Sequence, residues 1–137
     1  MYKLILIPLA LDQGLGLRSM ALARRLRSEK AKLVAVHVID QIPSFAKYYM
    51  TSENKDEILE SAKKAIAERI GAEKDAEIVV LTGHPGRTVT DYAQKIGADC
   101  IIVGSHKPGL KDFFLGSTAA RIVRYAKCSV HVLRDIA

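Results

Sequence analysis

Residues 101–133 read IIVGSHKPGLKDFFLGSTAARIVRYAKCSVHVL and contain one complete strand–loop–helix–strand unit. The unit begins with the apolar run at residues 101–103 and ends with a second run at residues 130–133. Short, β-branched and uncharged runs of this kind are typical of strands that are covered on both faces, as in parallel sheets. Between the runs, one helical face is predicted from the i, i+3, i+4, i+7 spacing of four residues: Ala119, Ile122, Val123 and Ala126.

The rest of the chain repeats this alternation. Further strands are predicted at residues 4–7, closed by Pro8, at residues 33–39 and at residues 78–81. Three more helical faces are predicted between them: Leu15, Leu22 and Leu26; Leu59, Ala62, Ile66 and Ile70; Val89, Tyr92, Ala93 and Ile96. The resulting β-α-β-α-β-α-β-α-β order predicts an α/β fold with one doubly wound parallel sheet, formed by a single domain over residues 1–137. Residues 40–52 form the one long connection, which is either a lid or partner surface or an irregular cover.

Length and composition restrict the class of protein. A chain of 137 residues with 49% hydrophobic and 26% charged residues is typical of one globular domain. The longest uncharged apolar run near the N-terminus, residues 4–11, is far shorter than the ~20 residues of a membrane span, and no signal peptide is predicted. With only Cys100 and Cys128 present, we expect two reduced thiols and a cytoplasmic location.

The net charge of +6 favours an anionic partner or a basic solvated surface. The Lys and Arg residues are spread over both ends of the chain, Trp is absent, and aromatic residues do not alternate with basic ones. A stacking platform for single-stranded nucleic acid is therefore not expected. The histidines show no metal-ligand spacing, and His37 and His131 are predicted to be packed or edge residues within strands.

The loop after the fourth strand carries the clearest chemical pattern. In an open parallel sheet, ligands bind beyond the carboxyl ends of the strands, where the strand order reverses. Gly104 and Gly116 lack a Cβ, and Ser117 and Thr118 begin the last predicted helix, where free N–H groups favour an anion that Lys107 and Lys111 could help neutralise. A turn glycine, a helix cap and two solvated lysines explain the same residues equally well.

Related motifs are excluded. Leu110 stands where the Walker A lysine should be, and no G-x-G-x-x-G follows the first strand. Ser105 and His106 do not form a G-x-S-x-G nucleophile elbow, which requires a glycine two residues before the serine.

Residues 103–134 resemble the C-terminal signature of the universal stress proteins, and residues 3–8 and 37–40 are similar to that family as well. The resemblance implies a five-stranded parallel sheet in the order 3-2-1-4-5 and a dimer. In one branch of the family, ATP is bound through G-x2-G-x9-G-[ST]. Gly104 matches the first glycine of that motif, Gly116 and Ser117 match its end, and Val38 matches the position whose backbone meets the adenine edge. The implied nucleotide-binding residues are Pro8, Leu9, Ala10, Val38, Gly104, His106, Lys107, Gly109, Gly116, Ser117 and Thr118.

Two positions depart from the family pattern. The segment from Gly104 to Gly116 is one residue shorter, with Lys107 and Pro108 in the region of the middle glycine, and this form resembles the F/G-type members. The family usually has an aspartate two residues after Pro8, where this chain has Ala10. Either Asp12 reaches in from a shifted loop or the adenosine end is held less tightly.

The resemblance implies a cytoplasmic stress-response protein that binds ATP or AMP, with Mg²⁺ as an optional companion. It implies a homodimer formed through the edge strand Ser129–Leu133, with Lys127 and Arg134 limiting growth beyond a pair, and neither nucleic acid nor membrane as a partner. No catalytic residue is expected, and slow ATP hydrolysis or autophosphorylation is the most enzyme-like reading. The alternative is a dimeric interaction module of the same fold that binds no nucleotide. An enzyme of the wider adenine-nucleotide-binding superfamily would need an S-G-G-x-D-S or H-I-G-H motif near the first strand, and residues 10–16 contain neither.

Overall fold

The computed structural model describes residues 1–9, 16–40, 52–70, 75–105 and 115–134. The five strands within these ranges form one parallel sheet in the order β3-β2-β1-β4-β5, which confirms the predicted fold class and strand order. The elements in chain order are β1 Tyr2–Pro8, α1 Gly16–Leu26, β2 Arg27–Ile39, α2 Ser52–Arg69, β3 Ala76–Thr82, α3 Pro85–Ile96, β4 Cys100–Gly104, α4 Ser117–Tyr125 and β5 Ser129–Leu133.

The core has two layers because successive strand residues point to opposite faces of the sheet. The layer beneath α1 and α2 contains Ile5, Ile7, Met20, Ala23, Leu33, Ile66 and Ile102. The layer beneath α3 and α4 contains Leu6, Val36, Val89, Ala93, Ile101, Val103 and Ile122. The central strands are therefore apolar on both faces, which is the cause of the continuous apolar runs in the sequence.

Two of the predicted helix faces are partly wrong. On α1 the buried residues are Gly16, Ser19, Met20 and Ala23, while Leu22 and Leu26 are partly buried at the margin of the core. The third residue of that predicted face, Leu15, lies outside the described residues. On α4, Ala119 and Ile122 are buried as predicted, but Val123 is 46% exposed. Because α4 has only nine residues and covers one margin of the sheet, it buries a narrow stripe.

Helix α3 has identifiable signals at both ends. His84 is its N-cap and accepts the Arg87 N–H through Nδ1 at 3.4 Å, and Pro85 follows at the first position. Gly97 ends the helix with φ = 75°, a left-handed conformation that glycine adopts without steric cost. In the part of the chain that the structure describes, no helix combines the length and apolar character needed to cross a membrane.

Candidate functional site

The strand order reverses between β1 and β4. From β1 the chain adds β2 and β3 on one side, then returns to add β4 and β5 on the other. The carboxyl ends of β1 and β4 therefore separate into a crevice, with Pro8 and Leu9 on one side and Gly104 and Ser105 on the other. A crevice at such a reversal is the usual ligand site of an open α/β sheet.

The β1 side of the crevice is fixed by β2. The Leu9 N–H donates to the Val36 carbonyl at 2.8 Å, and the Leu9 carbonyl lies 2.8 Å from Nδ1 of His37. The Leu9 side chain, only 7% exposed, packs in the layer beneath α1. Both backbone polar groups of Leu9 thus contact β2, so the path of the chain leaving β1 is tied to half-buried His37.

Val38 follows His37 on β2, two residues after Val36, the last β2 residue paired with β1. The ladder register ends at Pro8 opposite Val36, and successive residues of a strand direct their N–H and C=O groups to alternate edges. The Val38 N–H and C=O therefore point to the same side as those of Val36, past the last described residue of β1. Its side chain packs in the layer beneath α3, so the backbone is the part of Val38 that faces the crevice.

The β4 side of the crevice is organised by Ser105. Its N–H donates to the Leu133 carbonyl of β5 at 2.9 Å, and its own carbonyl accepts the Gly116 N–H at 2.7 Å. Ser105 is completely buried. These two bonds connect the end of β4 to the edge strand and to the start of α4, so the N-terminus of α4 is held at the crevice.

The N-terminus of α4 has the geometry of an anion site. Gly116 is the N-cap, its carbonyl accepts the first helical bond from Ala120 at 2.8 Å, and as a glycine it has no side chain with which to cap the helix. The N–H groups of Ser117, Thr118 and Ala119 therefore have no partner within the helix, and the helix dipole adds a partial positive charge there. Gly116 has φ = −59° and ψ = 154°, which any residue can adopt, so a requirement for glycine here would come from close approach and not from backbone strain.

The described predicted residues lie at or next to the carboxyl ends of β1, β2 and β4 and at the start of α4: Pro8, Leu9, Val38, Gly104, Gly116, Ser117 and Thr118. The remaining predicted residues lie outside the described residues: Ala10, His106, Lys107 and Gly109, together with the alternative aspartate Asp12. Sequence reasoning missed the backbone bonds of Ser105 and the ring contact of His37. Their partners are distant in sequence, so only strand pairing brings them together.

Both cysteines are free thiols, Cys100 buried and Cys128 partly buried. Burial raises the pKa of Cys100 to about 11, and burial also raises the pKa of Cys128, so both thiols are neutral at physiological pH. Their side chains pack in opposite layers of the sheet, Cys100 beneath α1 and α2 and Cys128 beneath α3 and α4. Cys128 lies in the connection between α4 and β5. Within the described ranges, no three His, Cys, Asp or Glu side chains are grouped to hold a metal ion.

Solved structures with the same fold include several nucleotide complexes. A hypothetical protein studied as a test case of structural genomics is 25% identical with a TM-score of 0.77, and the match covers 100% of this chain and 99% of that one. Three universal stress protein structures are nucleotide complexes. One contains cAMP, the protein from Archaeoglobus fulgidus contains dAMP, and the protein from Arabidopsis thaliana contains AMP. These three are 18–23% identical to this chain with TM-scores of 0.55–0.61, and the matches cover 96–98% of this chain and 93–97% of theirs.

Sequence comparison gives the same family over nearly the whole chain. The model of the universal stress protein family matches residues 1–134. Universal stress protein A homolog 2 of Coxiella burnetii is 32% identical over 140 residues, covering 97% of this chain and 95% of that protein. A universal stress protein of Methanocaldococcus jannaschii is 31% identical, covering 98% of this chain and 83% of its own. Because the family model and both relatives match nearly the whole chain, the chain belongs to the universal stress protein family.

Proposed function

We propose that this protein binds an adenine nucleotide, ATP or AMP, in the crevice between the ends of β1 and β4, and acts as a nucleotide-dependent regulator of the stress response in the cytoplasm. The observation that carries the proposal is the N-terminus of α4, whose N-cap residue Gly116 has no side chain to cap it and is secured by its bond to Ser105 at the end of β4. The cAMP, dAMP and AMP complexes of relatives support the choice of an adenine nucleotide.

The phosphate end of the ligand is assigned to α4. The Gly116 N–H already donates to Ser105, so the phosphate oxygens would accept from the N–H groups of Ser117, Thr118 and Ala119. The Ser117 and Thr118 hydroxyls are additional donors. Lys107, which lies between β4 and α4 in the sequence, is proposed to neutralise phosphate charge. When Mg²⁺ accompanies ATP, the nucleotide's own phosphates would be its main ligands.

The adenine end is assigned to β2. Adenine presents a donor, the N6 amino group, next to an acceptor, N1, along one edge. The Val38 backbone presents the complementary pair, C=O and N–H, beyond the last described partner on β1. Because Ala10 replaces the usual carboxylate near the ribose, we expect nucleotide affinity at the weak end for a site of this kind, unless Asp12 supplies the contact.

A homodimer through β5 is part of the proposal. The strand order places Ser129–Leu133 at the edge of the sheet, and both Ser129 and His131 are exposed. An edge strand with free N–H and C=O groups pairs readily with a second copy around a two-fold axis.

Slow ATP hydrolysis or autophosphorylation remains the enzymatic alternative, and a dimeric module without nucleotide remains the non-binding one.

Titration calorimetry of the purified protein with ATP and with AMP tests nucleotide binding. Gly116→Val adds a branched side chain where phosphate must approach, in a conformation that valine can adopt, so affinity should fall by well over tenfold without unfolding. Ala120→Val adds similar bulk at an exposed position one turn into the same helix and should bind as the wild type does. The proposal is wrong if the wild type releases no heat beyond dilution at millimolar nucleotide, or if both variants bind equally well.

A further inference from the structure

A basic groove lies along α3 and α4, and none of its lining residues is among those placed at the crevice. Its volume is about 240 Å³, and its lining includes Arg87, Asp91, Arg121, Tyr125 and Lys127. Three cationic side chains face one carboxylate. Arg87 and Asp91 are 3.8 Å apart and both 72% exposed, so their pairing is weak in water and leaves most of the Arg87 charge available to a ligand.

Arg121 is held in place within this groove. A Cβ added at Gly86 would lie 2.8–3.2 Å from three carbons of the Arg121 side chain, so the Arg121 stem packs directly against the α3 backbone. The Arg121 guanidinium lies 5.2 Å from the centre of the Tyr125 ring, and that of Arg124 lies 5.8 Å from the same centre. A cation ordered before binding loses less conformational entropy when it pairs with an anion.

The chain has a surface of opposite charge on α2. Four acidic residues with i, i+3, i+4, i+7 spacing form an acidic stripe along one exposed side of the helix: Glu53, Asp56, Glu57 and Glu60. Seven residues of helix rise by roughly 10 Å. The lining residues of the groove on α3 span the same length, from Arg87 to Gln94. The stripe and the groove are therefore similar in length and opposite in charge.

The two surfaces lie on opposite faces of the sheet. Ile66 of α2 packs in the layer beneath α1 and α2, whereas Val89 of α3 and Ile122 of α4 pack in the other layer. The stripe of one molecule therefore cannot reach its own groove. A two-fold contact would also need both surfaces to face the same partner, which opposite faces do not allow. Only a head-to-tail contact joins them, and such a contact continues from copy to copy.

We propose that the basic groove between α3 and α4 binds the acidic stripe of a second copy of this chain, head to tail. The contact involves neither the crevice nor the free edge of β5, so it goes beyond the proposed nucleotide function and requires no nucleotide. It would join β5-paired dimers into larger assemblies, and it should weaken as salt screens the exposed charges.

Sedimentation velocity at about 200 μM protein without nucleotide, in 20 mM and in 300 mM NaCl, tests this contact. Wild type should form species at least twice the size of the high-salt form in 20 mM NaCl and lose them in 300 mM. A groove variant, Arg87→Glu with Lys127→Glu, and a stripe variant, Asp56→Lys with Glu57→Lys and Glu60→Lys, should each fail to assemble alone. A control variant with the same charge change as the groove variant, Arg25→Glu with Lys30→Glu, alters exposed residues outside both surfaces and should assemble as the wild type does.

The mixture of the two reversed variants is the decisive sample. In an equimolar mixture, each acidic groove meets a basic stripe and each basic groove meets an acidic one, so assembly at 20 mM NaCl should return. Circular dichroism of each variant confirms that it is folded before mixing. The proposal is overturned if wild type has the same size at both salt concentrations, if either reversed variant alone assembles like the wild type, or if the mixture does not assemble.

Discussion

Replacing Val132 with proline tests the dimer edge, because the structure defines which way each backbone donor of β5 points. The Leu133 carbonyl accepts from Ser105 of the neighbouring segment, and the register places His131 opposite Ile102 and Leu133 opposite Gly104. Leu133 and His131 therefore direct their backbone groups toward β4. Since neighbouring residues alternate, the Val132 N–H points to the free edge. Val132→Pro removes an outward donor and leaves the ladder with β4 intact.

The size of the effect follows from the symmetry. A two-fold dimer contains the Val132 position twice, and each lost hydrogen bond costs about 1 kcal/mol net. The two bonds together amount to about 2 kcal/mol, which corresponds to about 30-fold weaker dimerisation. The proline ring also occupies the space that the partner strand needs, so this value is a lower estimate.

Sedimentation equilibrium at several protein concentrations in 300 mM NaCl measures the change without interference from salt-sensitive contacts. Val132→Thr keeps both the donor and the β-branched shape, so it should dimerise as the wild type does. His131→Pro removes a donor that faces β4 and should lower the free energy of unfolding instead. A wild type that is monomeric at about 100 μM, or a folded Val132→Pro variant that is still fully dimeric, would refute the edge pairing and direct attention to residues 40–52.

Three further changes have defined outcomes. Ala10→Asp should tighten nucleotide binding about tenfold in calorimetry, since a hydrogen bond to a charged acceptor contributes about 1.5 kcal/mol or more, and an unchanged affinity would assign the contact to Asp12. Gly86→Ala should lower the free energy of unfolding in urea by about 1–3 kcal/mol, and by less in an Arg121→Ala background, because its Cβ would meet the Arg121 stem; equal losses in both would contradict this packing. Burial raises the pKa of Cys100 from 9.0 to about 11, so its contribution to stability is complete below pH 9 and lost as the pH rises through 11; Cys100→Val should lack that loss, which pH-dependent unfolding measures.

The sheet could be predicted from sequence because its signal is local. Each strand contains a run of β-branched residues covered on both faces, and such runs remain visible without knowledge of their partners. The predictions of the buried helix faces are less accurate, because the rotation of a helix about its axis is set by what it packs against. On α1, Gly16, Ser19 and Ala23 allow close approach to the sheet, so small residues are buried where the leucines were expected.

The site could be predicted only as far as its motif extended. Gly116 and Ser117 begin α4 at the crevice, where the glycine–hydroxyl pattern predicted a helix start. The bonds that hold this start in place join residues far apart in the chain, and sequence reasoning found none of them. Asp99 is a further example: its carboxylate accepts the backbone N–H groups of Lys3 and Leu4 at 2.8 and 3.0 Å. A carboxylate that satisfies distant backbone donors leaves no periodic pattern in the sequence.

Ser105 connects the two parts of the proposed function. Its N–H holds β5 through the Leu133 carbonyl, and its carbonyl holds the start of α4 through Gly116. The proposed anion site and the proposed dimer edge are therefore two hydrogen bonds apart, joined through one completely buried residue. A close-packed connection of this length leaves little room for either end to shift alone. If nucleotide binding and dimerisation are coupled, linkage requires the effect to be equal in both directions, and the shortest physical route for it passes through Ser105.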